Sequence, residues 1–353
     1  MRVLLDTTFA QRAPHSGTAV YLERLGAALG ELGDVDVVAV HNPRRRPPGG
    51  GGRASVGNAL VDQWWTHSEL PRLARACAAD VIHHPLPAWT RWSPVPQVVT
   101  VHDLAFERLP DRFAPGFRRY ARLVHRAAAR RAAAVICVSA TTTADVRERW
   151  GVPEGRLVVA PHGPGQLLPA PPRPGPAELP PPPLASGSHF LYVGDNEPRK
   201  NLVTLLEGYR RYRTGSPEAI ELVLAGDAFA NAPGVRSVHR PTPERLAQLY
   251  RQAVALVHPA LYEGFGMTPL EAMTLETPVI AADAPGIAEV CGQAARYVDP
   301  REPDSIADAL AAVAGSPALR AELAARGRLR AAQFSWTASA RRHLEAYSLA
   351  SSR

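Results

Sequence analysis

Two glutamates stand on either side of a short loop that contains glycine. Glu263 and Glu271 are eight residues apart, and Gly264 and Gly266 lie between them. The apolar segment Val254–Val257 precedes the loop and is predicted to be a buried strand. Because glycine has no side chain, a ligand can approach this backbone closely and meet two carboxylate acceptors beside it.

A helix is predicted to begin directly after this loop. Thr268 supplies a hydroxyl N-cap, Pro269 suits the first helical position, and Glu271 stands three residues after the cap. The free N–H groups and the positive dipole end of such a helix attract an anion. The loop and helix start are therefore predicted to bind an anionic ligand. A simpler interpretation remains open, in which Glu271 only caps the helix and Glu263 is a solvated charge.

Arg199 and Lys200 form a second candidate site for an anion. They follow Gly194 and the predicted strand Phe190–Val193, and ligands of open α/β sheets bind at this carboxyl edge. Lys200 is the only lysine of the chain, beside 39 arginines, which indicates a local requirement for lysine. Two cations here would neutralise a diphosphate leaving group. Ordinary charges at a helix start are the alternative.

His102 is the third candidate, because it follows the predicted strand Gln97–Val101. A lone histidine is more often structural than catalytic, so the residues alone leave its role open. His83 and His84 do not indicate a metal pair, since neighbouring strand residues point to opposite faces. No Asp-x-Asp run supports a bound divalent cation.

The elements that must position these residues alternate between strands and helices in both halves of the chain, which predicts doubly wound parallel sheets. Ten of the twenty residues from Pro164 to Pro183 are proline, and neither a helix nor a central strand tolerates that composition. The predicted organisation is a first domain over 1–165, a proline-rich linker over 164–188 and a second domain over 189–334. The end of the chain, about 335–353, is predicted to be helical.

The run from Glu263 to Glu271, with Gly-Phe-Gly inside it, resembles the E-x7-E motif of the retaining nucleotide-sugar glycosyltransferases of family 4. The run from Gly194 to Asn201 is similar to the Gly-x-x-x-Pro-Arg-Lys-Asn form of that family's bacterial surface-polysaccharide enzymes. The resemblance implies a GT-B architecture of two facing Rossmann-like α/β domains with parallel sheets. The first domain would bind the acceptor, the second would bind the nucleotide-sugar, and the C-terminal helix would cross back to the first.

By the same resemblance, Glu271 would bind the ribose hydroxyls and Glu263 the hydroxyls of the donor sugar. Arg199 and Lys200 would take up the charge that develops on the diphosphate. His102-Asp-Leu resembles the family's first-domain histidine, which would hold the sugar or the acceptor rather than act as a general base. The other donor-binding residues implied are Gly17, Gly194, Gly264, Phe265, Gly266, Met267 and Thr268.

The reaction implied by the resemblance is the transfer of a hexose with retention of configuration, as in polysaccharide biosynthesis. GDP-mannose is the favoured donor, and a UDP- or dTDP-sugar comes next. The acceptor would be a glycan, a lipid-linked sugar or a natural product. No metal and no cofactor is expected. A catalytically silent GT-B partner protein and a sugar-nucleotide epimerase or hydrolase are the alternatives. A Rossmann dehydrogenase is disfavoured, because no G-x-G-x-x-G follows the first predicted strand.

Positive charge is concentrated in the first half of the chain. Residues 1–165 carry 21 arginines and 14 acidic residues, whereas the remainder carries 19 charges of each sign. Arg119, Arg122, Arg126 and Arg130 recur at helical spacing and would share one face of a helix, here called the basic face. This face could simply be solvated, or it could bind anionic lipid or a phosphorylated acceptor. Nucleic acid is disfavoured because no recognition motif accompanies the arginines.

The sequence predicts a cytoplasmic protein, with peripheral contact at the inner membrane face if the basic face binds lipid. No apolar run approaches the ~20 residues of a membrane span. The first residues indicate a strand rather than a signal peptide, and the three cysteines form no C-x-x-C pair.

Overall fold

The computed structural model describes residues 1–14, 16–45, 53–165, 187–216 and 218–352 of the 353-residue chain. The chain divides into two compact units, one from Met1–Gly163 and Ser335–Arg353 and the other from Pro164–Phe334. Each unit contains one parallel sheet with helices, which confirms the predicted α/β class. The linker predicted over 164–188 lies outside the described residues except at its two ends.

The first unit has a six-stranded parallel sheet in the order β2-β1-β3-β4-β5-β6. Its strands are β1 (Arg2–Asp6), β2 (Asp36–Val40), β3 (Val81–His84), β4 (Gln97–Val101), β5 (Ala134–Cys137) and β6 (Leu157–Val159). Its first helices are α1 (Thr8–Arg12), α2 (Gly17–Leu32), α3 (Arg53–Trp64), α4 (Leu70–Ala76), α5 (Ala105–Arg108), α6 (Pro115–Arg131) and α7 (Ala140–Asp145).

The second unit repeats this plan with the strand order β12-β11-β10-β7-β8-β9. Its strands are β7 (His189–Gly194), β8 (Glu221–Gly226), β9 (Val235–His239), β10 (Ala253–His258), β11 (Val279–Ala282) and β12 (Ala295–Val298). Its helices are α8 (Leu202–Gly215), α9 (Pro243–Gln252), α10 (Met267–Thr274), α11 (Pro285–Cys291), α12 (Pro303–Gly315) and α13 (Pro317–Ala331). The strand order changes direction between β7 and β10, which are neighbours in the middle of the sheet.

Strand β9 is the one strand that the sequence pattern did not predict. It lies at the edge of the second sheet and is half-exposed, so its five residues include only two valines and no continuous apolar run. Every residue of β4 and of β10 is buried, and both strands are mainly apolar, as parallel sheets with helices on both faces require. β9 therefore escapes a search for apolar runs, whereas the central strands do not.

The last helix, α14 (Trp336–Ser351), packs in the first unit. Ser335 caps it by accepting a hydrogen bond from the N–H of Ala338. Trp336 and Tyr347 belong to the same buried cluster as Leu25 of α2 and residues of β1, β3, β4 and β5. The C-terminal segment is thus part of the core of the unit that the N-terminus begins, as the resemblance implied.

A directed chain of hydrogen bonds ties α14 to the sheet. His343 Nδ1 lies 2.8 Å from the carbonyl oxygen of Ser339, so that nitrogen carries the proton and donates. His343 Nε2 must then accept the hydrogen bond from the Tyr21 hydroxyl, at 2.9 Å. The Tyr21 oxygen in turn accepts from Thr100 Oγ1, also at 2.9 Å.

The same chain continues to a second histidine. Because the Thr100 hydroxyl has donated to Tyr21, its oxygen accepts from His83 Nε2 at 2.8 Å. His83 Nδ1 is left as an acceptor, and the Tyr347 hydroxyl donates to it at 2.8 Å. All five side chains are buried. Each is satisfied only while both histidines are neutral, because a second proton on either ring would oppose a hydroxyl donor.

Burial lowers the pKa of both histidines, that of His343 to about 4 and that of His83 well below its usual value. In the unfolded chain each titrates near 6.5. Between pH 6.5 and 4 the unfolded chain therefore binds more protons than the folded one. It follows that the stability of the first unit falls as the pH decreases through this range.

We predict that acidification destabilises the first unit with a slope that approaches about 1.4 kcal/mol per pH unit for each buried histidine below pH 6.5, and that totals about 1.4 kcal/mol between pH 7.5 and pH 5.5. Urea unfolding at pH 7.5 and pH 5.5, followed by tryptophan fluorescence, measures this slope. His343→Gln should be less stable at pH 7.5, because it breaks the chain, but should lose less stability on acidification. His41→Gln, which changes an exposed histidine of the same unit, is the control. Equal pH slopes for His343→Gln and the wild type would contradict the assignment.

Candidate active site

The candidate residues of the second unit meet at the point where its strand order changes direction. Arg199 and Lys200 follow β7, and Glu263 follows the neighbouring strand β10. Parallel strands present their carboxyl ends at one edge, and the switch point opens a crevice there. The fold therefore brings together two segments that are more than sixty residues apart in sequence.

Glu263 forms ion pairs with both cations. Its Oε1 lies 2.5 Å from Lys200 Nζ and its Oε2 lies 2.8 Å from Arg199 Nη1. His258, the last residue of β10, places Nε2 3.5 Å from Oε1. Glu197 lies 3.0 Å from Arg199 Nε. Only 9% of Glu263 is exposed, so the idea of a solvated loop charge was wrong.

The charges of this cluster determine the ionisation of Glu263. Burial alone would raise the pKa of its carboxyl group, but Lys200 and Arg199 outweigh burial and hold the pKa well below its usual value. Burial lowers the pKa of His258, although the carboxylate beside it favours the charged form. At neutral pH Glu263 is thus a carboxylate that lies between two cations and a neutral imidazole, and Glu197 is a second carboxylate beside Arg199.

Asn201 holds the cation-bearing turn in place. Its backbone is left-handed, with φ of 61°, and its side-chain amide donates to the carbonyls of Pro259 and Pro300 at 3.1 and 2.6 Å. The N–H of Leu261 also donates to the carbonyl of Arg199 at 2.9 Å. The loops after β7, β10 and β12 are therefore fixed to one another. These contacts also fix the backbone that carries Arg199 and Lys200.

The helix after the glycine loop begins earlier than the sequence pattern predicted. Its N-cap is Gly266, with φ of 103°, and its first residue is Met267, so Thr268 is not the cap. Glycine adopts this conformation without a Cβ clash, which lets the chain turn directly into the helix. Glu271 consequently lies beyond the first turn, and the interpretation of Glu271 as a capping residue was wrong.

Glu271 is instead held by a buried tyrosine. The Tyr250 hydroxyl, on α9, donates to Glu271 Oε2 at 3.0 Å, and only 3% of Glu271 is exposed. Burial raises the pKa of Tyr250 well above its usual value, and the Glu271 carboxylate adds to that increase. Tyr250 therefore remains a donor at any physiological pH and orients the carboxylate.

The loop between the two glutamates is packed closely from both sides. A side chain at Gly286, in the first turn of α11, would overlap the carbonyl oxygen of Glu263, so this position requires glycine. Phe265 is buried and meets Phe334 edge to face at 5.7 Å. Met267 and Thr268 are half-buried at the start of α10. The loop backbone is thus fixed, with the helix N-terminus at its end.

Gly194 ends β7 beside Gly226, which ends β8. The Gly194 carbonyl accepts hydrogen bonds from the N–H groups of Asp227 and Ala228, both at 3.0 Å. A side chain at Gly226 would overlap that carbonyl. The two strand ends therefore approach each other closely at the same edge as the ion-pair cluster.

His102 lies at the carboxyl edge of the first unit's sheet, directly after β4. Its Nε2 is 3.0 Å from the carbonyl oxygen of Pro85, so Nε2 carries the proton and Nδ1 is an acceptor. Burial lowers its pKa to about 4, which keeps the ring neutral and makes it a weak base. The rings of Tyr21 and His162 lie against it, with centroids 4.9 and 5.6 Å away.

Gly17 is the first residue of α2, in the segment that follows β1. Ser16 caps the helix, since its hydroxyl accepts from the N–H of Ala19 at 3.2 Å. The short helix α1, which the sequence pattern did not predict, lies between β1 and Gly17. Gly17 is exposed at a helix N-terminus, next to a fixed cap.

The basic face lies on α6, as its spacing predicted. Arg119, Arg122, Arg126 and Arg130 are all exposed there, and Arg122 Nε pairs with Glu107 at 2.8 Å. Leu123 is 65% exposed among these arginines. On the opposite side of the helix Ala121, Ala128 and Ala129 are buried.

Within the described ranges, no three His, Cys, Asp or Glu side chains are grouped so that they could hold a metal ion. In the same ranges, no helix has the length and apolar character needed to cross a membrane.

Three residues of the candidate site escaped the sequence analysis. Tyr250 carries no local signal, because its partner is 21 residues further along the chain and on another helix. His258 lies five residues before Glu263, and its position at a strand end could have drawn attention to it. Asn201 was read only as part of a motif, although it ties three loops together.

Two family models match the chain. Residues 15–163 match the model described as Glycosyltransferase Family 4, and residues 186–330 match Glycosyl transferases group 1. Together the two matches take in most of the chain.

Proteins of known function and solved structures are similar to this chain as well. O-antigen chain mannosyltransferase B of Escherichia coli is 27% identical over 274 residues, which are 71% of this chain and 70% of that protein. O-antigen chain mannosyltransferase RfbU of Salmonella typhimurium is 25% identical over 298 residues, 81% of this chain and 76% of its own. The solved structure of sucrose-phosphate synthase from Thermosynechococcus elongatus has a TM-score of 0.73 at 19% identity, covering 99% of this chain and 98% of the other. The chain is therefore a glycosyltransferase, and its structure has the GT-B fold.

Proposed function

We propose that this hexosyltransferase takes its hexose from a nucleotide-sugar, bound at the switch point of the second unit, and transfers it with retention of configuration. The observation that carries the proposal is the largely buried cluster of Glu263, Arg199 and Lys200 at that edge, with Glu271 on the helix that follows the same loop. The enzyme would act in the cytoplasm and would need no metal, because the two cations supply the positive charge that a diphosphate requires.

Arg199 and Lys200 would bind the diphosphate of the donor. As the bond between the anomeric carbon and the diphosphate oxygen breaks, negative charge develops on that oxygen. Cations placed there before the reaction stabilise the charge without reorganisation, which is typically the largest electrostatic contribution. The backbone N–H groups from Gly264 to Met267, at the N-terminal end of α10, would add hydrogen bonds to phosphate or sugar.

Glu271 would accept hydrogen bonds from the two ribose hydroxyls. A carboxylate suits this role because it accepts two donors at once. The Tyr250 hydroxyl holds one of its oxygens, which fixes the orientation before the nucleotide arrives. Tyr250 would thus be a positioning residue for the ribose, acting through Glu271.

The favoured donor is GDP-mannose. Two relatives named as mannosyltransferases match more than two thirds of the chain. The Glu-Pro-Arg-Lys-Asn run resembles the form found in the family's bacterial surface-polysaccharide enzymes. A UDP- or dTDP-sugar is the second candidate. By analogy with those relatives, the acceptor would be a growing glycan or a lipid-linked sugar, and a natural product is the alternative.

His102 would hold a hydroxyl of the transferred sugar or of the acceptor through Nδ1. A neutral ring with a pKa of about 4 is poorly suited to general-base catalysis near pH 7. Retention would then follow from departure and attack on the same face, with the proton of the acceptor hydroxyl passing to the leaving diphosphate. The anomeric configuration of the product, read by NMR, tests retention, and an inverted product would contradict it.

We expect one nucleoside diphosphate or its sugar conjugate to raise the melting temperature by a few degrees at about 100 times its Kd. The panel is GDP, UDP, dTDP and ADP with their common sugar conjugates, without added metal. Glu271→Ala should abolish the shift, and Tyr250→Phe should reduce it. Tyr212→Phe is a matched control, because it also loses a tyrosine hydroxyl bond in this unit, to the N–H of Ile220.

The outcomes of this panel separate the alternatives. If no nucleotide stabilises the wild type, the silent-partner function replaces the enzyme. If a nucleotide-sugar binds and is consumed with no acceptor present, a hydrolase or epimerase replaces the transferase. A shift that survives Glu271→Ala would remove the ribose contact from the proposal.

The acceptor would be reached at an anionic membrane surface through α6. The 17-residue helix contains six arginines and no acidic residue, and its outward side carries Leu123 and Tyr120, which are 65% and 49% exposed. Arginines around exposed apolar side chains are the composition of helices that lie in a membrane interface.

Replacing Arg119, Arg122 and Arg126 with glutamine should weaken binding to phosphatidylserine-containing vesicles by about 10- to 100-fold, at about 1 kcal/mol for each free arginine. Arg122→Gln alone should have the smallest effect, because Glu107 already neutralises Arg122. Leu123→Ser should weaken binding at high salt, where the electrostatic part is screened. Arg328→Gln, on an exposed part of α13, is the control. Unchanged sedimentation of the triple variant would remove the membrane contact from the proposal.

A further inference from the structure

Glu263 holds the same two cations that the donor diphosphate would need. Its two oxygens are shared between Lys200 Nζ at 2.5 Å and Arg199 Nη1 at 2.8 Å. The side chain of Glu263 is 11% exposed and each of the two cationic side chains 16%, so water screens these ion pairs only weakly. A diphosphate offers the same ligands as a carboxylate, anionic oxygens in pairs, with more charge.

We propose that Glu263 competes with the donor diphosphate for Lys200 and Arg199, and thereby distinguishes the nucleotide-sugar from the nucleoside diphosphate product. The inference rests on the proposed function, in which these cations bind the diphosphate. When the diphosphate takes the cations, the Glu263 carboxylate loses its charged partners. It then remains in a largely buried place and needs other hydrogen-bond donors.

The hexose of the nucleotide-sugar can supply those donors through its hydroxyl groups, whereas a nucleoside diphosphate alone cannot. When the product binds, nothing offsets the free energy lost by separating Glu263 from its two cations. When the donor binds, hydrogen bonds from the sugar hydroxyls to Glu263 offset part of that loss. Glu263 would therefore weaken the binding of the nucleoside diphosphate product more than the binding of the nucleotide-sugar. This difference favours release of the product after transfer.

The two cations differ in how freely they can change partner. Arg199 is also held by Glu197 at 3.0 Å, and its backbone carbonyl accepts from Leu261. Lys200 is a compact charge on a flexible chain, so it can move from a carboxylate to a phosphate without the fixed geometry that a guanidinium demands. This difference is a physical reason for the single lysine of an otherwise arginine-only chain.

Isothermal titration with inorganic pyrophosphate, GDP and GDP-mannose tests the inference on the full chain. Glu263→Gln should bind pyrophosphate and GDP at least about tenfold more tightly than the wild type, since 1.4 kcal/mol of lost competition corresponds to tenfold. The affinity for GDP-mannose should increase less than the affinity for GDP. The ratio of the two affinities should therefore favour GDP-mannose less in Glu263→Gln than in the wild type. Glu197→Gln, which removes a more exposed carboxylate from Arg199 alone, is the matched control and should change these affinities less than threefold.

Unchanged or weaker pyrophosphate binding by Glu263→Gln would overturn the inference while leaving the proposed function intact. If neither the wild type nor Glu263→Gln binds pyrophosphate or any nucleotide of the panel, the proposed function itself fails. Removing Glu263 takes away the carboxylate that Lys200 and Arg199 share, which can prevent folding. In that case Glu263→Asp, with a shorter carboxylate, should show an intermediate gain in pyrophosphate affinity, and no gain would overturn the inference.

Discussion

A largely buried carboxylate must be matched by positive charge, and in the second unit this requirement joins segments that are far apart in sequence. Glu263 is ionised because Lys200 and Arg199 lie against it, and removing one partner of such a cluster typically costs about 3–5 kcal/mol. The strands that carry these residues are neighbours only because the sheet order reverses between β7 and β10. The loops at that edge, including the one that Asn201 braces, are arranged around this charge balance.

In the first unit, buried polar groups are paired with one another as neutral groups rather than as ions. His343, Tyr21, Thr100, His83 and Tyr347 satisfy one another as neutral donors and acceptors, in one consistent direction. His102 follows the same rule, since a carbonyl fixes its proton on Nε2 and burial keeps the ring neutral. A cationic cluster suits a diphosphate, whereas a neutral acceptor suits a sugar hydroxyl. Each unit thus offers chemistry that fits one part of a glycosyl transfer.

Much of this could be predicted from the sequence. The apolar runs predicted the central strands to within about two residues, because strands buried on both faces consist mainly of apolar residues. The paired glutamates, the single lysine and the histidine after β4 were found because ligands bind at the carboxyl edge of parallel strands. The edge strand β9 and the short helices α1 and α5 were missed, since none has a full apolar period. The start of α10 was misplaced, because Thr268 and Pro269 are good helix-start residues in a place where a glycine with positive φ had already begun the helix.

The sequence by itself determined the class of the fold, the strands at its centre and the residue types available for binding an anion. Local patterns determine these because hydrophobic period and composition act within a few residues. Only the tertiary structure decided which side chains contact one another at the candidate site and in the core of the first unit. It placed Glu263 against Lys200 and Arg199, gave Glu271 the Tyr250 hydroxyl and inserted α14 into the core of the first unit. Those contacts join residues 21 to more than 300 positions apart, and no local rule of sequence specifies which charged or polar groups a fold will bring together.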